Sequence, residues 1–176
     1  MADKAPDAIA LLKADHRKVE ELFEEFEAAT PKKQQAIALE ICTELVVHTM
    51  IEEELFYPAL KDKIDADLLD EAYVEHDGAK MLIAQIAAGA PGEDFYEAKV
   101  SVLSEEIEHH VHEEEMPKEG MFAQARATDV DLQALGEAMA ARKQELLAKI
   151  KAEGLPPPIM RTVKPAPVEL GEPVIA

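Results

Sequence analysis

The sequence has a single cysteine and no tryptophan, and only 5% of its residues are aromatic. One thiol, Cys42, excludes an internal disulfide and any cysteine-based zinc site. Cys42 follows Ile41 in an apolar-periodic stretch, so it reads as a buried structural thiol rather than a reactive one. Basic residues are scarce, with 18 Lys and Arg against 37 Asp and Glu and a formal net charge of −19. That balance argues against nucleic acid as a partner, because phosphate contacts need clustered Lys and Arg. It argues equally against docking on anionic lipid. No apolar run approaches the length of a membrane span. The N-terminus lacks an apolar stretch followed by a small-residue cleavage site, so the expected compartment is the cytoplasm. The His-Glu-x-x-His signature of zinc proteases, the nucleophile elbow and the phosphate loop are also missing.

What is present is helix-forming composition. Ala, Leu, Glu and Lys dominate, which favours helix over sheet, and 176 residues suffice for one domain with a real core. Five helical stretches are legible. The first starts at the N-cap Asp7 and carries Ile9, Leu12, Val19, Leu22, Phe23 and Phe26 at helical period. Thr30 and Pro31 open the second, about 31–57, with Pro58 kinking or ending it. The third spans about 67–88 and closes at Gly89-Ala90-Pro91-Gly92. The fourth spans about 94–115 and is interrupted by Pro117, after which 117–127 reads as irregular. Thr128 or Asp129 caps a fifth that reaches about 152, with Gly154 as its stop signal. The expected fold is all-α: an up-down antiparallel four-helix bundle over about 7–116, extended by a fifth helix to a domain of 1–153. Residues 154–176 carry six prolines and no amphipathic period, and read as a flexible, disordered tail.

The histidines fall in an ordered pattern. His16 lies on the apolar stripe of the first helix. The second helix presents Ile41, Leu45, His48 and Glu52; the fourth presents Leu103, Ile107, His110 and Glu114 at identical spacing, each member 62 positions on. The third helix offers Leu69, Tyr73, His76 and Ile83 on one face. Residues i and i+4 are neighbours on a helix surface, so His48 with Glu52, and His110 with Glu114, can each close on one metal centre. Imidazole and carboxylate together suit iron, manganese or zinc, and a carboxylate can bridge two ions. One core histidine is commonly just a satisfied polar group. Four on four core stripes, two paired with Glu, would be costly to bury without a ligand. The predicted metal ligands are therefore His16, His48, Glu52, His76, His110 and Glu114, a set too large for one ordinary ion. His109 with Glu113 is the alternative pair, but its stripe through Val102 and Glu106 is more polar. His109 and His112 are expected to be exposed or to sit behind the ligands. Glu53 and Glu115 read as surface charge. A ferritin-like site would need two Glu-x-x-His units, and only Glu106 to His109 supplies one.

The order His16, His48-x3-Glu52, His76, His110-x3-Glu114 resembles the hemerythrin-like, or HHE cation-binding, domain of bacteria. The strings HTMIEEELFYPAL, EHD and EHHVHEEE fit it as well, and the resemblance covers about 7–150. It implies an up-down bundle around a non-haem di-iron centre, bridged by the two glutamates and an oxo or hydroxo group. It also implies a small ligand — oxygen, peroxide or nitric oxide — in oxidative or nitrosative stress or iron handling. An iron- or oxygen-responsive regulatory module without turnover is the other reading. Oxygen-carrying members place a second histidine four residues after the first on the third helix. Here that position is Lys80, so one imidazole is missing, and Glu53, Glu115 or water is expected to take its place. Helix four also departs from the pattern after Glu114, reading EMPKEGMF where the family runs into a Phe-Pro stretch.

Overall fold

The structure, a computed structural model, describes residues 5–164. Among these residues every regular element is helical: α1 (Ala8–Ala28), α2 (Pro31–Ile51), α3 (Tyr57–Leu60), α4 (Ala66–Ala88), α5 (Tyr96–Glu115), α6 (Met121–Arg126) and α7 (Leu132–Glu153). A single π-helical turn, Glu52–Phe56, joins α2 to α3. The caps follow from short polar side chains. Asp7 accepts a hydrogen bond from the Ala10 amide and Asp65 from that of Asp67. Thr30 makes no side-chain cap, and the start of α2 relies instead on Pro31 at the first helical position.

Four long helices close a ring, α1 against α2 and α5, and α4 against α2 and α5. The expected antiparallel bundle is therefore what the chain forms, and α7 lies across it against α1, α2 and the π turn. Arg142 of α7 fixes that crossing with a forked pair to Glu54, at 2.7 and 3.2 Å.

Two apolar clusters fill the bundle, one at each end. The first gathers Leu12, Ile51, Phe56, Leu60, Leu69, Phe122 and Met139; the second gathers Val19, Phe26, Ile41, Leu45, Ile83, Leu103 and Ile107. α1, α2 and α4 each change cluster at the turn that carries their histidine, and α5 leaves the second cluster at Val111, beside His110, so the four antiparallel helices bring their histidines to one level. Cys42 belongs to the second cluster, fully buried. Burial pushes its thiol up to about 12, which leaves it an unreactive thiol.

Three expectations need correction. Residues 117–127 are not wholly irregular, because Met121 and Phe122 pack into the first cluster and wind the short α6. The fifth long helix is capped by Asp131, whose carboxylate accepts from the Gln133 and Ala134 amides, and not by Thr128 or Asp129. The third concerns the region after Gly154. Residues 155–164 have no regular secondary structure, yet they are anchored: the amides of Arg161, Thr162 and Val163 all donate to the buried carboxylate of Asp77. The remainder of the expected tail, 165–176, lies outside the described residues.

At Gly136 the backbone of α7 meets the entry to α1. A Cβ there would stand 2.5 Å from the Pro6 carbonyl oxygen and 2.6 Å from the Ala8 nitrogen. Such overpacking costs about 1–3 kcal/mol. Gly136→Ala is expected to lower the melting temperature by on the order of 5 °C, since each kcal/mol shifts a domain of this size by roughly 2–4 °C. An unchanged melt by circular dichroism would refute the close approach.

Candidate metal centre

The polar level between the two clusters is built from all four long helices. The Nε2 atoms of His16 and His48 face each other at 3.3 Å, and those of His76 and His110 do the same at 3.3 Å. Glu52 reaches across both pairs: its Oε2 is 3.2 Å from His48 Nε2 and 3.3 Å from His76 Nε2. Glu114 does likewise, 3.4 Å from His16 Nε2 and 3.7 Å from His110 Nε2. All six predicted residues are buried, and the fold brings all six together.

These spacings fit cations. Ligand atoms about 2.1 Å from an ion, at tetrahedral or octahedral angles, lie about 3.0–3.4 Å apart. Two potential groups result, His16-His48-Glu52-Glu114 and Glu52-His76-His110, with Glu52 common to both. Glu52 Oε1 and Glu114 Oε2 are buried without a hydrogen-bond partner. An orphaned buried carboxylate oxygen is costly, and an ion between the rings would satisfy both.

Three of the four outward ring nitrogens are hydrogen-bonded, and His48 Nδ1 has no partner within hydrogen-bond distance among the described residues. His16 Nδ1 bonds Glu115 at 2.8 Å, His76 Nδ1 bonds Glu53 at 3.1 Å and His110 Nδ1 bonds Glu75 at 2.7 Å. His48 Nδ1 lies 3.6 Å from Asp15. A carboxylate at Nδ1 holds the proton there and leaves the Nε2 lone pair directed inward. Glu53 and Glu115 are thus not the surface charges expected of them, since both carboxylates lie behind the rings at Nδ1. Lys80 itself is buried, with its ammonium 2.5 Å from Glu53 and 3.2 Å from Asp77.

Tyr57, which sequence reasoning did not single out, stands where a further ligand would be expected. Its hydroxyl lies 3.3 Å from Glu52, 3.2 Å from Glu114 and 3.2 Å from His76 Nε2. The signal was the phenol one residue before Pro58, but its direction depends on the π turn. Pro58 cannot donate to the helix ladder, and the Tyr57 amide instead bonds the Glu52 carbonyl five residues back. This wider turn buries both Glu52 and Glu53 and swings Tyr57 inward.

Charge is strongly coupled in the centre. Burial alone would lower His48, but Glu52 and Asp15 overcome it and raise it to about 10. His76 is raised against burial by Glu52 and Glu53. Burial opposes ionisation of Glu52, but His48 and His76 hold it well below the usual carboxylate range. Burial, with Glu114 and Glu52 adjoining, pushes the Tyr57 phenol well above its ordinary value, so without an ion it remains a donor.

His109 and His112 are both exposed, as expected. His109 does meet Glu113 at 3.3 Å and Glu75 at 3.6 Å, on the outside of the bundle. The alternative pair is thus placed at the surface, one residue out of step with the buried one.

Three comparisons bear on this centre. Residues 7–123 match the model of the hemerythrin HHE cation binding domain. The fold is similar to the crystal structure of an HHE cation binding domain-containing protein from Mycobacterium kansasii. That match has a TM-score of 0.70 and 26% identity over 85% of this chain and 95% of the other. The chain is also 31% identical, over 106 residues, to a DNA nickase of Nostoc sp.. That stretch covers 60% of this chain but only 30% of the nickase, so the chain spans less than a third of that relative's length.

Proposed function

The chain belongs to the hemerythrin HHE cation binding domain family, and on that premise we propose that it holds two non-haem iron ions. One ion is assigned to His16, His48, Glu52 and Glu114, the other to Glu52, His76, His110 and Glu114 with Tyr57 beside it. The observation that carries this reading is the pair of buried donor groups sharing Glu52. Six donors of mixed imidazole and carboxylate type, drawn from four helices, suit a metal pair. When bound, the pair would supply redox chemistry toward a small oxidant or diatomic ligand: oxygen, peroxide or nitric oxide.

The chain's own residues set the conditions for that chemistry. Glu53, Glu75 and Glu115 orient their rings through Nδ1, and Asp15 sets a negative charge 3.6 Å from that of His48. Phe56 and Phe122 wall off the first-cluster side, with the Phe122 ring stacked on His16 at 5.8 Å. On metal binding the Tyr57 hydroxyl would release its proton, as ligands do, which makes the phenolate available at the second position. An anionic oxygen in place of the imidazole missing at Lys80 favours ferric over ferrous iron. The reading is accordingly a centre that autoxidises and reacts with peroxide or nitric oxide in stress response or iron handling, rather than a reversible oxygen carrier. DNA nicking is no part of it, since 37 acidic residues against 18 basic ones repel phosphate.

Mixing the diferrous protein with oxygen tests this. The expected result is rapid, irreversible conversion to a ferric spectrum with a phenolate charge-transfer band that Tyr57→Phe abolishes. A long-lived absorbance change that reverses when oxygen is removed would restore the carrier reading. No reaction with oxygen, peroxide or nitric oxide would favour the regulatory module.

A further inference from the structure

The segment after α7 crosses the outside of α4 and reaches the metal centre. Leu155 packs on the second apolar cluster. Lys80 donates to the Ile159 carbonyl at 3.2 Å. Asp77, fully buried, then gathers three successive amides: Arg161 at 2.9 Å, Thr162 at 2.7 Å and Val163 at 2.9 Å. The Thr162 hydroxyl adds a fourth bond at 2.9 Å. Burial would raise the Asp77 carboxyl, but these donors hold it far below its ordinary range. So many bonds to one ionised group fix the register of the segment.

That register places the Arg161 guanidinium on Glu53, Nε to Oε2 at 2.7 Å. The other oxygen of Glu53 is the one that meets His76 Nδ1 at 3.1 Å and Lys80 at 2.5 Å. The same device recurs around the centre. Asp15, behind His48, is paired with Lys143 at 2.5 Å, and Glu115, behind His16, with Lys13 and Arg17 at 2.9 Å each. Glu75, behind His110, has no Lys or Arg partner among the described residues. Three of the four outer carboxylates are therefore countered by cations, and at Glu53 one cation arrives on a segment outside the bundle.

We propose that residues 159–163 form a strap that completes the second metal position, with Arg161 as a positioning residue acting through Glu53 on His76. Arg161 holds Glu53 in place and draws off part of its negative charge. Glu53 then pulls less on the His76 Nδ1 proton, and His76 donates less strongly at Nε2. Removing the guanidinium makes the ring the stronger donor and removes a positive charge near the ions, and both effects favour the ferric state.

The proposal rests on the two-iron reading, and a measurement on each side separates their failures. In the metal-free full-length protein, the amides of Arg161, Thr162 and Val163 should exchange with solvent at least about tenfold more slowly than in an open chain, the factor that a hydrogen bond to a charged acceptor supplies. Exchange at open-chain rates overturns the strap, whatever the metal content. In the iron-loaded protein, Arg161→Ala should lower the reduction potential, and Arg161→Lys should restore most of it. A strap that merely stabilises the fold would change the melting temperature and leave the potential alone. An unmoved potential in Arg161→Ala therefore overturns the positioning role. Wild-type protein that cannot hold two irons would defeat the underlying reading, while amide exchange would still decide the strap.

Discussion

Replacing Glu52 is expected to strip both metal positions at once. Its Oε2 is the one atom within about 3.3 Å of donors from both halves, His48 Nε2 and His76 Nε2. Glu114 also faces a histidine of each pair, but through separate oxygens and at the longer distances of 3.4 and 3.7 Å. Glu52→Gln keeps the shape of the side chain but removes the charge and half of its acceptor capacity. It should reduce iron from about two per chain, the stoichiometry that ligands from four helices support, to essentially none after gel filtration. Glu52→Ala should do the same and destabilise the metal-free protein too. It removes the carboxylate shared by His48 and His76, leaving each with one outer carboxylate, and breaking a buried pair of this kind costs about 3–5 kcal/mol. His109→Ala is the control, because that ring stands outside the bundle, and it should retain full metal content. Elemental analysis decides the matter. Two ions retained by Glu52→Gln would overturn the shared-carboxylate arrangement, and loss of iron in His109→Ala would move the centre to the surface pair.

Metal removal is expected to have the second large effect, and its size should depend on pH. In the metal-free protein, His48 and His76 keep protons that a cation would displace. His48 is raised from 6.5 to about 10, so its contribution to stability is fully present below about pH 6.5 and is lost as pH rises through about 10. Glu52 is shifted the other way, from 4.5 downward; its contribution is present above about pH 4.5 and is lost only as pH falls through its much lower folded value. The metal-free protein should therefore be most stable between about pH 4.5 and 6.5 and weaken at alkaline pH. Metal binding needs neutral imidazoles and strengthens over that same alkaline range. The melting gap between loaded and metal-free protein should thus be small at pH 6 and wide at pH 8.5. At an ion concentration about a thousandfold above the dissociation constant, binding adds about 4 kcal/mol. That corresponds to roughly 10 °C for a chain of this size. Equal melting at both pH values, or a gap that narrows as pH rises, would place the cation outside the histidine level.

Much of the fold was legible because helix formation reports locally. Asp7 and Asp65 cap helices by bonds to amides two or three residues away, and the stripe from Ile9 to Phe26 repeats at helical period. The candidate centre was legible for the same reason. His48 with Glu52 and His110 with Glu114 are one turn apart on their own helices, and His16 and His76 each sit among apolar neighbours. A periodic pattern shows which face a residue shares, so all six residues that the structure brings together could be read in order.

What only the tertiary structure decided depends on contacts between distant parts of the chain. Glu53 and Glu115 look like solvated charge beside a ligand. They turn inward because His76 and His16, on other helices, offer Nδ1 protons. Lys80 leaves an imaginable gap in the sequence, but Tyr57 reaches His76 and the two glutamates only because the π turn before Pro58 adds a residue to the winding of α2. The proline-rich segment has no period to read, and its order comes from a single buried carboxylate, Asp77, collecting the amides of residues 161–163. Periodicity fixes the face that each helix turns to its neighbours. Hydrogen bonds between groups 23 to 108 residues apart fix what stands behind that face, and one sequence carries no local mark of them.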